Sequence, residues 1–168
     1  MKIPVQIKAV LLIGGFSLLY ACGNADQSST SNEEATTTES SAATTEAAVV
    51  TDPEAKSESK GVGKFTSVEI GALDKGLAEK GKTVFEAKCS SCHKTTNEKL
   101  VGPGLKDVTK RREPEWIMNM ITNPQEMTQK DAVAKALFEK HLVQMTFQNV
   151  SDDETRQILE FFRENDSQ

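Results

Sequence analysis

Between residues 73 and 89, Leu77, Gly81, Phe85 and Cys89 recur at steps of four and share one face. That period predicts an α-helix. A second helix is predicted over residues 114–123, where Pro114 suits a first turn and Pro124 forbids continuation. It carries Trp116, Ile117, Met120 and Ile121. A third is predicted over residues 129–141, with Val133, Leu137 and Phe138 as its apolar stripe. The last begins at Ser151, where Glu154 completes an S-x-x-E capping box, and its face is Ile158, Leu159, Phe161 and Phe162. Alternating apolar runs bounded by hairpin turns are absent, so the expected fold class is all-α. Residues 94–113, with Gly102-Pro103-Gly104 in the middle, read as a long shaped loop. A loop of that length in a compact domain usually wraps something.

Upstream the pattern changes twice. Lys2 and Lys8 flank the start, and residues 9–19 form an eleven-residue apolar run. A membrane-spanning helix needs about 20 such residues, so the run fits the core of an export signal instead. It ends in Leu19-Tyr20-Ala21-Cys22, which resembles a bacterial lipobox. That resemblance implies a signal peptide over residues 1–21 and a lipid on Cys22. An uncleaved anchor, or ordinary cleavage leaving a free thiol, is the alternative. Residues 23–60 hold 14 Ser or Thr, eight acids and two lysines, with no aromatic residue. Such a segment buries too little apolar surface to offset its ordering entropy. It is expected to be a disordered tether spanning roughly 35 Å.

The remaining residues, 61–168, suffice for one small domain. They carry 16 Lys and Arg against 17 Asp and Glu, a balance that offers no electrostatic case for nucleic acid. The chemistry concentrates in Cys89-Ser90-Ser91-Cys92-His93, which uses two of three cysteines and one of two histidines. A zinc site needs four ligands, usually in two pairs, and no partner pair exists. A thioredoxin-like dithiol sits beside a βαβ pattern, which an all-helical domain lacks. Covalent haem is the third reading. Two thiols one turn apart can reach the two vinyl groups of a porphyrin, and the following histidine is placed beneath the iron. The cysteine count then closes, with one for lipid and two for haem.

The segment from Gly81 to Cys89, the Gly102-Pro103-Gly104-Leu105 loop, Trp116-Ile117 through Asn123-Pro124 and Met127, and Met145 ahead of Ser151-Asp152-Asp153-Glu154 together resemble a monohaem class I cytochrome c domain across residues 70–165. The resemblance implies a helical domain wrapped around one haem c, bound by Cys89 and Cys92 and ligated by His93 and Met145. It gives the Pro103 carbonyl the task of orienting His93, and it puts Trp116 against the haem edge, where a core anchor is the equal alternative. The family often has proline after the ligand methionine, whereas this chain has Thr146. Arg111 and Arg112 are candidates for pairing with haem propionates through a bidentate fork, with a charged solvated loop as the equal alternative. Met118, Met120 and Met127 are expected to be packing residues, and His141 the end of a helix.

The expected function is a lipid-tethered, monomeric one-electron carrier, not an enzyme. It would sit in the periplasm and exchange electrons with membrane-associated redox proteins of a respiratory chain. Two alternatives stand beside it. One is a haem enzyme or gas sensor with an open or weakly held sixth position. The other is an assembly lipoprotein whose haem is incidental.

Overall fold

The computed structural model describes residues 50–168. Among these residues there are six helices and no strand: α1 (Lys75–Lys88), α2 (Val108–Arg111), α3 (Pro114–Thr122), α4 (Pro124–Lys130), α5 (Ala132–His141) and α6 (Asp152–Asp166). Cys22, the apolar run and residues 23–49 of the expected tether lie outside the described residues.

α1 and α6 form the closest helix pair. Asp74 caps α1 by accepting from the Leu77 amide at 3.0 Å. Both bonds of the capping box at the start of α6 are present: Ser151 Oγ accepts from the Glu154 amide, and Glu154 accepts from the Ser151 amide at 2.8 Å. The helices cross at Gly81, where an added Cβ would lie 1.9 Å from the Gln157 carbonyl oxygen. Beside the crossing, the Phe85 ring packs on Phe161 and Phe162 at 5.4 and 5.8 Å between centroids. Lys88 ties the end of α1 to Glu154 at 3.0 Å and to the Asn149 carbonyl. The end of the helix that carries the thiols is thereby held to the start of α6.

Two expectations of the pattern are corrected. The helix expected over residues 129–141 starts at Ala132, and residues 129 and 130 close a separate helix, α4. The break is Asp131, whose backbone is extended and whose carboxylate accepts from the Ala134 amide at 2.8 Å and from Trp116 Nε1 at 2.9 Å. It acts as a helix N-cap and as the partner that a buried indole requires. The loop expected over residues 94–113 contains α2. Asp166, at the far end of α6, accepts from the amides of Asp107 and Thr109 at 2.7 and 2.9 Å. A side chain from another helix thus caps this single turn.

The tether expectation also needs correcting at its C-terminal end, because residues 50–60 lie against the domain. Arg112 is buried and donates to the carbonyls of Pro53 and Ala55, while the Ser57 amide donates to the Arg111 carbonyl at 3.0 Å. Lys60 pairs with the buried Glu115 at 3.0 Å. Further along this strap, Asn119 donates to the Lys60 and Phe65 carbonyls and accepts from the Phe65 amide. Gly61, at φ +71°, lies where a side chain would strike Met127. Composition registered polar side chains here. Much of the ordering comes from backbone groups, which composition does not register.

Candidate functional site

α1 stops at Cys89, and the chain turns tightly, with the amides of Cys92 and His93 both donating to the Cys89 carbonyl at 3.0 Å. That turn brings two thiols and an imidazole to the mouth of one cleft. The Gly102 amide donates to the Cys92 carbonyl at 2.9 Å, drawing the glycine-proline strap across the turn. The Pro103 carbonyl lies 2.9 Å from His93 Nδ1. A carbonyl only accepts, so Nδ1 carries the proton, and Nε2 has no hydrogen-bond partner among the described residues. Burial, the largest influence on His93, lowers its pKa and keeps the ring neutral. A neutral imidazole with one nitrogen pinned by an acceptor and the other free is the form that ligates a metal.

Both thiols are free. Burial pushes the Cys89 thiol up to about 11 against the pull of Lys88. It is therefore protonated at neutral pH, unlike the low-pKa nucleophile of a dithiol oxidoreductase.

The cleft has a cavity volume of about 200 Å³. Phe85, Leu105, Val108, Ile117, Leu137 and Phe162 supply apolar wall. Cys89, Cys92, His93, Pro103, Trp116 and Met145, all proposed from sequence, line this same cleft, as do Arg111, Arg112 and His141. Trp116 is buried in the core, as the core-anchor reading has it, and also forms part of the cleft wall. Arg112 stacks on it at 5.2 Å and spends its donors on the strap carbonyls of Pro53 and Ala55 and on the Arg111 carbonyl, whereas Arg111 donates to the Gly104 carbonyl at 3.1 Å. Met118 and Met127 are buried core, and Met120 lines the cleft.

Residues 142–149 carry Met145 between α5 and α6. Sequence reasoning missed how this loop is held. Gln144 accepts from Thr128 Oγ1 at 3.0 Å and donates to the Met145 carbonyl at 2.9 Å. Gln148 donates to the hydroxyl and carbonyl of Thr146. These amides brace the backbone where the family often has a proline. Glu54, from the strap, also lines the cleft, and no local signal in a Ser/Thr-rich segment marked it.

A family model described as Cytochrome c matches residues 78–166, just over half of the chain. The chain belongs to the cytochrome c family. A cytochrome c-553-like protein of Synechocystis is 33% identical over 51 residues, covering 30% of this chain and 49% of that relative. The match thus spans about half the relative's length. A cytochrome c from Rhodothermus marinus is 38% identical, with a TM-score of 0.60, over 62% of this chain and 90% of that one. An engineered cytochrome c from Rhodothermus marinus gives 36% and 0.61 over 70% and 100%.

The cofactor of the family is haem c, bound covalently through C-x-x-C-H, and this chain has that motif at Cys89, Cys92 and His93. The cleft fits it on three counts. Its walls are apolar, its thiols are unpaired, and its imidazole presents an unoccupied nitrogen. The chain is thus a haem-binding member of the cytochrome c family.

Proposed function

We propose that this cytochrome is a membrane-tethered one-electron carrier of a respiratory chain, with His93 and Met145 as axial ligands. The haem supplies a one-electron couple between ferric and ferrous iron. The chain's own residues do the rest. Cys89 and Cys92 hold the group, the Pro103 carbonyl fixes the plane of His93, and the apolar wall limits water.

One observation carries the ligand assignment: Met145 lines the His93 cleft on a loop whose backbone Gln144 braces. Its competitors are otherwise engaged. Met127 Sδ accepts from the Val62 amide at 3.0 Å, and His141 Nε2 meets Glu54 at 3.0 Å. Met120 lies in the regular backbone of α3. Sulfur and imidazole ligation favours the reduced state and raises the potential. The oxidised protein should show the weak near-infrared sulfur-to-iron band, and Met145→Ala should abolish it, lower the potential and open the iron to carbon monoxide. A wild-type protein that already binds carbon monoxide readily would favour the gas-sensing reading instead.

The tethering rests on Leu19-Tyr20-Ala21-Cys22. Among the described residues no helix is long and apolar enough to cross a membrane. A lipid on Cys22 would keep the domain at the periplasmic face, where encounters with membrane-associated donors and acceptors become quasi-intramolecular. Cys22→Ser should release the protein from membranes with its visible spectrum unaltered. Retention after a high-salt wash would place the anchor elsewhere.

A further inference from the structure

Glu54 enters the haem cleft from a part of the chain that the family match over residues 78–166 does not cover. Its carboxylate lies 3.0 Å from His141 Nε2, 3.6 Å from Lys140 Nζ and 3.9 Å from Arg111 Nη1. The side chain keeps only 29% exposure. The backbone on both sides of it is fixed, because Arg112 holds the carbonyls of Pro53 and Ala55. Arg112 is in turn buried against Trp116. The strap therefore delivers one acidic group to a defined place in the cleft wall.

Burial opposes ionisation of this carboxyl. The His141 hydrogen bond and the charges of Arg111 and Lys140 outweigh that opposition and hold Glu54 below the usual carboxylate range. At neutral pH it is a fixed negative charge, in a setting where screening by water is reduced.

We propose that Glu54 is a potential-setting residue of the haem cleft, its carboxylate favouring the ferric over the ferrous form. The reason is elementary. Oxidised iron carries one more positive charge than reduced iron, so a nearby anion stabilises the oxidised state and lowers the potential. Arg111 and Lys140, at 3.9 and 3.6 Å from the carboxylate, moderate the effect. The inference rests on the haem filling this cleft.

The test is a spectroelectrochemical titration of the full-length, haem-loaded protein. Glu54→Gln should move the equilibrium towards the ferrous form several-fold, up to about tenfold, which for one electron is an upward shift of about 59 mV. Glu54→Asp, which keeps the charge, should return most of the shift. Glu58→Gln serves as the control, because Glu58 sits on the same strap with its side chain 85% exposed, and it should move the potential far less. A merely structural role for Glu54 would lower the unfolding midpoint and leave the potential in place. An unmoved potential in haem-loaded Glu54→Gln, an equal shift in Glu58→Gln, or a downward shift would each overturn the proposal. The downward case would signal that freed His141 had displaced the native ligand. Should Glu54→Gln fail to accumulate, Arg111→Gln removes the opposite charge from the same cluster and should lower the potential; a rise would count against the proposal. Wild-type protein without thioether-bound haem would overturn the cleft assignment and this inference together.

Discussion

Gly102 lies flat against the ring of His93, so close that a Cβ there would stand 2.4 Å from Cε1 and 2.9 Å from each ring nitrogen. The residue after it presents the carbonyl that holds Nδ1. One dipeptide therefore fixes both the position and the rotation of the imidazole. Gly102→Ala should push the ring out of register. Overpacking of this kind costs about 1–3 kcal/mol. Denaturant unfolding should report that loss, and the visible spectrum should show perturbed ligation. A variant with wild-type stability and spectrum would mean that the strap yields easily and does not position His93.

Gln144 offers a second test, because it links Met145 to Thr128 without itself being a ligand. Each hydrogen bond is worth about 0.5–1.5 kcal/mol net. Gln144→Ala removes two such bonds, should change global unfolding by no more than their sum, and should weaken the proposed hold of Met145 on the iron. Titration with an exogenous ligand such as imidazole measures this directly, with tighter binding expected in the variant. Thr128→Val should act in the same direction, more mildly. Equal affinity in wild type and both variants would remove the brace from the account.

Gly81 tests the helix crossing. An alanine methyl would meet the Gln157 carbonyl oxygen and the Ile158 amide of α6, both backbone. Backbone cannot swing aside as a flexible side chain does, so α1 and α6 must separate. The aromatic contacts of Phe85 with Phe161 and Phe162 loosen with them. Gly81→Ala should destabilise despite alanine's better helix propensity of about 1 kcal/mol. A thermal melt showing stabilisation would contradict the close approach.

Acid should act first where the strap is held by carboxylates. Burial raises the pKa of Glu115, but its own backbone amide, the Lys60 ammonium and the Val68 amide outweigh burial, leaving it below the ordinary 4.5. A depressed folded pKa means that the unfolded chain binds more protons in this window. The contribution is complete above about 4.5 and disappears as pH falls through the lower folded value. Stability measured against pH should therefore slope downward below that point, and Glu115→Gln should flatten the slope. Identical slopes in both proteins would show that other carboxylates carry the acid sensitivity.

Local pattern was enough wherever an element's reasons lie within a few residues of it. α1 and α6 follow from spacing by four and from a capping box whose partners are three apart. The start of α3 follows from Pro114, and its end from Pro124. The two thiols and His93 are adjacent in sequence, so their chemistry was legible before any fold.

Other features depend on partners that sequence places far apart. α2 is capped by Asp166, 59 residues from Asp107, and no propensity announces a turn whose cap belongs to another helix. Asp131 divides α4 from α5 because it also serves the Trp116 indole, a demand created only when α3 packs alongside. Residues 50–60 look like solvated tether by composition, yet their carbonyls satisfy a buried guanidinium 57 residues away from Ala55. Sequence determined α1, α3 and α6 and the identity of the cofactor, since these are carried by short-range spacing. The tertiary structure alone decided which distant polar groups satisfy one another, because a buried donor must find its acceptor wherever the fold brings one within about 3 Å.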